Sequence, residues 1–357
     1  MKAYAIYRLP HEDHATLIRQ TEGEPEEFLS CAELNGRRGF VVAPFQMSEQ
    51  QPILLIRPDS VETILVERGK WKVEGEYSAA DTSLSSFHFP LSSKYTYVID
   101  FANFHSQLEL GTFRKIVLAR CADEKMEEKV EPMDLFYRAC MLYPRMFIAL
   151  VYTAKSGCWL TATPEILLEG KADTWRTIAL AGTMKLEGDQ LNGEGESLRW
   201  STKNIQEQRI VATYITECLE QFTGDFHEEG PRTVRAANLV HLRSDFTFSL
   251  PDNQHLGDLL HTLHPTPAVC GLPKREAFQF IIKNEHTPRR YYSGFMGPLQ
   301  MEDTHLYVSL RCMNIEGKIC HLYAGGGLLK DSQEEQEWQE TEAKLETMRR
   351  CIAIKKM

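Results

Sequence analysis

The sequence predicts an α+β protein with antiparallel strands. Three observations predict it. Strand-like runs follow one another closely from Phe147 to Leu180 with turn signals between them. A second strand group runs from Arg289 to Ala324. Helical patterns precede, separate and follow the two groups.

Along the chain, residues 1 to about 77 mix short strands such as Gly39 to Phe45 and Pro52 to Ile56 with polar loops. Residues 78–94 are rich in serine and small residues and read as a connection, so that 1–90 forms an N-terminal β-rich part packed onto a main body spanning 95–357. A helix is expected from Tyr95 to about Leu110. Arg114 to Arg120, RKIVLAR, is apolar and β-branched and reads as a strand with Lys115, Val117 and Ala119 on one face. Lys115 at its start either snorkels to water or sits in a site.

Pro132 to Tyr143 reads as a helix with proline where a missing N–H is tolerated. Phe147–Tyr152, Trp159–Ala162, Glu165–Glu169 and Trp175–Leu180 form an expected antiparallel meander, with Pro164 leaving an edge or a bulge. Glu165 next to Ile166–Leu168 is either partly buried, with a raised pKa, or a solvent-facing edge residue. Gly182 ends the last of these strands in a turn that can offer N–H groups to an anion.

Glu196 to Gln221 is helical, with Ile205, Val211, Ile215 and Leu219 as its apolar stripe and Glu207 at its boundary. Residues 236–250 are a strand region holding His241. Leu259 to Lys274 is a proline-fixed loop, and Arg275 to Ile282 a helix. Arg289 to Gly297 and Leu306 to Met313 look like paired strands, and Arg311 within the second needs an anionic partner if buried. Ile319 to Ala324 is the last strand. It leads into Gly325, Gly326 and Gly327, read as a ligand-approachable loop. Ser332 and Glu335 fit a capping box, so a helix should begin near Gln333. On it, Glu337, Glu340 and Lys344 share one face. That set could hold a hard cation and an anion, or could be an ordinary solvated helix face.

Composition bounds the function. The chain has 357 residues, enough for one large domain or two smaller ones. A net charge of −10 and a pI near 5.7 argue against nucleic acid or an anionic membrane as the main partner. The nine cysteines are scattered without a C-x-x-C, so neither a zinc site nor a disulfide framework is expected, and a cytoplasmic location fits. The N-terminal apolar run is too short for a signal peptide. No apolar run approaches the roughly 18 residues of a membrane span.

KIVLAR, ATPEILL, ALAGT, KNIQEQ, HPTPAVCGLP, RRYYSGFMG, SLRCMNI and YAGGGLL…EWQETEAK occur in this order. Together they resemble the chorismate-utilising enzymes over roughly residues 95 to 350, and most closely the isochorismate synthases among them. The resemblance implies an anthranilate synthase component I-like fold, with antiparallel sheets flanked by helices and the active site in a cleft between layers. It implies Mg2+ as cofactor, chorismate as substrate and a monomer.

By that resemblance Lys115 is the base that activates water for attack at C2, and Glu165 is the acid that protonates the departing C4 hydroxyl. Glu207 and Glu340 are the metal ligands, with Glu337 beside them. Tyr292, Arg311 and Lys344 hold substrate carboxylates, with Gly182, Thr183, His241 and Gly325 completing the substrate pocket. A glutamic acid that donates a proton at neutral pH needs a raised pKa.

Two positions choose a subgroup within the resemblance. Anthranilate and aminodeoxychorismate synthases lack a lysine where Lys115 stands, and the latter carry one where this chain has Ala181. Both favour water addition, for menaquinone or siderophore synthesis. Salicylate formation by a further loss of pyruvate is the alternative, and a non-catalytic binding subunit the third reading. Gln208 stands where histidine is common, YAGGG replaces YAGAG, and the N-terminal part is short.

Overall fold

A computed structural model describes residues 2–66, 93–185, 199–236, 239–250 and 252–353. The connection read at 78–94 lies outside these residues except for Ser93 and Lys94, where the first long helix opens.

The chain begins with β1 (Ala3–Arg8), β2 (His14–Gln20), β3 (Glu26–Phe28), β4 (Gly39–Ala43), β5 (Ile53–Ile56) and β6 (Ser60–Leu65). Next come α1 (Lys94–Glu109), β7 (Lys115–Lys125), α2 (Pro132–Leu142), β8 (Phe147–Thr153), β9 (Gly157–Thr163), β10 (Ile166–Lys171) and β11 (Thr174–Lys185). The middle holds α3 (Thr202–Leu219), β12 (Phe226–Ala236), β13 (Leu239–Ser249), α4 (Leu256–Leu263), β14 (Gly271–Leu272) and α5 (Lys274–Asn284). The chain closes with β15 (Phe295–Leu299), β16 (Thr304–Val308), β17 (Cys312–Glu316), β18 (Ile319–Leu328) and α6 (Glu334–Ile352).

The strands form two antiparallel sheets. One has the order β14-β7-β18-β17-β9-β8-β1-β2-β6, the other β12-β13-β11-β10-β16-β15-β4-β5-β3. The N-terminal strands are joined edge to edge: β1, β2 and β6 extend the first sheet past β8, and β4, β5 and β3 extend the second past β15.

Period-two alternation assigns the faces. On β1, Ala3, Ala5 and Tyr7 join the core between the sheets, while Tyr4 and Ile6 face the core under α2 and α6. Phe147 of the first sheet stacks on Tyr307 of the second, with ring centroids 4.4 Å apart. A third core lies between the second sheet and α3 and α4, and a fourth under α1 and α5. Helices therefore cover the outer faces of a two-sheet sandwich.

Several expectations are corrected. The meander is two hairpins in different sheets, because β9 lies in the first and β10 in the second. At Pro164 the chain does not bulge but crosses between sheets. The run from Leu306 to Met313 is likewise divided: β16 belongs to the second sheet and β17 to the first, with Arg311 between them at φ 45°. Of Arg289 to Gly297 only the end is strand; Arg290 and Ser293 have φ of 54° and 62°, which turn the chain instead.

The stretch from Leu259 begins as α4, and only beyond His264-Pro265 does it become a loop. Ile205 is 52% exposed, so it is not part of the buried stripe of α3. The capping box does not form. Ser332 Oγ instead accepts the Leu329 N–H, and Glu335 pairs with Lys94. All nine cysteines are buried and none is in a disulfide. No helix among the described residues is long and apolar enough to cross a membrane.

Candidate active site

The site forms where the two sheets part. Both sheet-to-sheet crossings lie there side by side: Val308 N–H donates to Glu165 O at 2.9 Å, and Ala162 N–H donates to Arg311 O at 3.2 Å. A carboxyl and a guanidinium thus come to one cavity because a chain that leaves a sheet must turn its side chains away from the ladder. Glu165, Gly182, His241, Tyr292, Arg311 and Lys344 all line this cavity.

Glu165 is 3% exposed. Burial pushes its pKa from 4.5 up to about 7, against the pull of Lys115, Arg311 and Lys344. Arg311 is drawn down by burial to about 10, with Glu165 opposing, and so stays cationic at neutral pH. Its Nη1 is buried without a hydrogen-bond partner. Its Nη2 lies 2.6 Å from His241 Nε2. A guanidinium can only donate, so Nε2 accepts and the His241 proton sits on Nδ1, 3.3 Å from both Gly182 O and Thr183 Oγ1. Burial, Arg311 and Lys344 hold the His241 pKa well below 6.5, in agreement with a neutral ring. Tyr292 stacks on Tyr323 at 5.6 Å.

Lys115 does not snorkel: it is fully buried. Its Nζ lies 2.8 Å from Glu207 Oε1. It stands behind Glu207 at the cavity edge rather than in its wall. Glu207 is no mere boundary residue. Its other oxygen accepts the Gly182 N–H at 3.2 Å, so the N–H read as an anion donor is engaged by the protein itself. Burial opposes ionisation of Glu207, but Lys115, Lys344 and Lys203 outweigh it and its pKa is lowered.

The three glycines are a strand, not a loop. Gly325, Gly326 and Gly327 pair with Ala119, Leu118 and Val117 of β7. They are glycines because of what faces them. A Cβ on Gly325 would stand 2.7 Å from Tyr292 Oη, one on Gly326 3.1 Å from Glu337 Oε2, and one on Gly327 2.2 Å from Glu207 Oε1. The bare strand lets side chains from α3 and α6 lie against it.

Along that strand each of three carboxylates has a lysine. Glu207 pairs with Lys115 at 2.8 Å, Glu340 with Lys344 at 2.7 Å, and Glu337 with Lys203. Lys344 also donates to Gly325 O at 2.8 Å. Glu337 is 1% exposed and its Oε2 is buried without a hydrogen-bond partner. Burial, then Glu340, raises its pKa against Lys203. An all-oxygen donor set with an orphaned carboxylate oxygen fits a hard divalent cation. The tight His, Cys and carboxylate groupings among the described residues lie elsewhere, at Cys121, Asp123 and His321 and at Glu12, Asp13 and His14.

Sequence reasoning missed four supporting residues. Lys203 is one. Gln208 accepts the Ala181 N–H at 2.9 Å and donates to Ala179 O at 3.1 Å, which holds the bulge in β11 at Gly182. Glu285 and Arg289 replace a missing strand beside β7: Glu285 accepts the Ala119 N–H at 2.7 Å and Arg289 donates to Val117 O at 2.8 Å. Both lie just beyond α5, and nothing local in the sequence marks β7 as their partner.

A family model described as chorismate binding enzyme matches residues 65–353. The isochorismate synthase MenF of Escherichia coli (strain K12) is 30% identical over 275 residues, covering 76% of this chain and 63% of that protein. The salicylate biosynthesis isochorismate synthase of Pseudomonas aeruginosa is 32% identical over 254 residues, covering 70% of this chain and 52% of its own length. The chain thus spans between about half and two thirds of these curated relatives. The solved structure of MenF, the menaquinone-specific isochorismate synthase from Escherichia coli, superposes with a TM-score of 0.78 at 24% identity, covering 99% of this chain and 89% of that one. Its fold is the one described above.

Proposed function

The chain belongs to the chorismate-binding enzyme family, and from that premise we propose that it is an isochorismate synthase, converting chorismate to isochorismate. The observation that carries this reading is the placement of Glu165. A carboxyl pushed to about 7 holds its proton near neutral pH, inside a cavity shared with an unsatisfied arginine nitrogen. Hydroxide leaves a ring poorly, so an acid must reach it.

In this mechanism Lys115 takes a proton from the water that adds at C2. The ring double bonds shift, and Glu165 gives its proton to the C4 hydroxyl, which departs as water. One water enters and one leaves, so the product is an isomer. Lys115 is fully buried and held at the cavity edge by its pair with Glu207. Arg311 offers Nη1 to a substrate carboxylate while His241, neutral, fixes the guanidinium through Nη2. Tyr292 and Lys344 close the same cavity. Glu207, Glu337 and Glu340 would hold Mg2+, which when bound neutralises a substrate carboxylate.

A dianionic substrate in a chain of net charge −10 requires such a local set of cations. Nine buried thiols without a disulfide support a reducing compartment, the cytoplasm. Menaquinone and siderophore synthesis are both served by this product.

The test is incubation of the purified protein with chorismate and Mg2+ and separation of products. Isochorismate should form, and its formation should stop with EDTA. Salicylate as the end product would select the alternative reading, and tight chorismate binding without turnover would select the non-catalytic one.

A further inference from the structure

We propose that Lys203 is the resident counter-ion of the helix-side carboxylates: it holds Glu337 while no metal is bound and competes with a divalent cation for it. The proposal rests on the Mg2+ reading above.

Lys203 lies in the first turn of α3, four residues before Glu207 and on the same helix face. Its ammonium crosses to α6 and engages Glu337 Oε1.

Glu337 supplies the second observation. One oxygen is bonded to Lys203; the other, Oε2, is buried and has no hydrogen-bond partner. That orphaned oxygen faces Gly326, where an added Cβ would stand 3.1 Å from it and 3.9 Å from Glu340 Oε1. The two acids therefore approach one point of the bare strand. A pair that only fastened α3 to α6 would gain nothing from a second, unsatisfied oxygen. Burying such an oxygen without a partner is costly, more so when it is charged. It is accounted for if a cation takes that place and Lys203 offsets the charge until it does.

Lys203 lines no part of the substrate cavity and is not needed for either proton transfer. Its removal should therefore act on cation affinity. The experiment is a calorimetric titration of the full chain with MgCl2, without chorismate, for wild type, Lys203→Met and Lys203→Arg. Lys203→Met should bind Mg2+ roughly tenfold more tightly, equal to about 1.4 kcal/mol. Lys203→Arg keeps the charge and should stay within about threefold of wild type. Thermal unfolding gives the second readout: Lys203→Met should be less stable than wild type without metal and gain more from Mg2+.

A folded Lys203→Met that binds Mg2+ no better than wild type overturns the proposal and leaves the Mg2+ reading intact. A wild type that takes up no Mg2+ overturns both. Should Lys203→Met not fold, Lys203→Gln carries the same comparison.

Discussion

Between the sheets, Glu165, His241 and Arg311 are buried where the chain crosses from one sheet to the other, and burial is the leading influence on all three. Against the helices, Glu207, Glu337 and Glu340 each lie beside a lysine. The first region disfavours charge, raising the Glu165 pKa to about 7 and keeping His241 neutral, as proton donation by Glu165 requires. The second keeps negative charge available by balancing it, as cation binding requires. The two electrostatic regimes meet at Glu207, which lines the cavity, and the Gly325–Gly327 strand lies against both with no side chain of its own.

The largest effect should come from breaking the first region. Glu165→Gln keeps the shape but has no proton to give, and product formation should fall by about 10²–10⁴. The same variant tests the shift. The folded pKa of Glu165 is raised from 4.5 to about 7. The neutral acid is therefore favoured at low pH, and its contribution to stability is lost as pH rises from 4.5 through about 7. Glu165→Gln should remove that loss, gaining on wild type by about 3 kcal/mol between pH 4 and pH 8 in denaturant unfolding. Equal slopes for both proteins would show that Glu165 ionises normally. For wild type, turnover should fall as pH rises above about 7, as the acid form disappears.

Next in size is a graded probe of the boundary between the regions. Gly327→Ala would put a Cβ 2.2 Å from Glu207 Oε1 and 2.8 Å from Lys115 Cε, so the Lys115–Glu207 pair must move. A displacement of that order should cost about 10² in turnover. Gly326→Ala meets Glu337 Oε2 at 3.1 Å and Glu340 Oε1 at 3.9 Å, and carboxylate ends can give way. Its loss should be about tenfold or less, with Mg2+ affinity changed more than turnover at saturating metal. Steady-state kinetics over a range of Mg2+ concentrations separates the two. A larger loss at position 326 than at 327 would mean that the strand does not divide the site in this way.

What was legible in the sequence follows the same division. Helices α1, α2, α3, α5 and α6 and most strands showed in local pattern, since periodicity is short-range. The residues of the site showed as ordered motifs. Which sheet each strand joins did not show. Thr163-Pro164-Glu165 looks the same whether Pro164 makes a bulge or a crossing, because the choice depends on β16, some 140 residues away in the chain. YAGGG reads as a loop because glycine is usually needed for the backbone. Here it is needed for the space occupied by Tyr292, Glu337 and Glu207. Lys203 was missed because its partner lies 134 residues on.

The smallest effect should come from a residue that touches neither region yet sets their spacing. Gln208 is buried on α3, accepts the Ala181 N–H at 2.9 Å and donates to Ala179 O at 3.1 Å. These bonds hold β11 just before its bulge, where the Gly182 N–H is directed to Glu207. Gln208→Ala leaves a buried donor and a buried acceptor unpaired, which should cost about 1–3 kcal/mol of stability in denaturant unfolding. Turnover should drop only a few-fold, because Glu207 keeps its bond to Lys115. Gln208→His offers an acceptor again and should recover part of both losses. If Gln208→Ala instead abolishes turnover while remaining folded, the bulge belongs to the reacting region itself, and the division drawn above must be moved to include it.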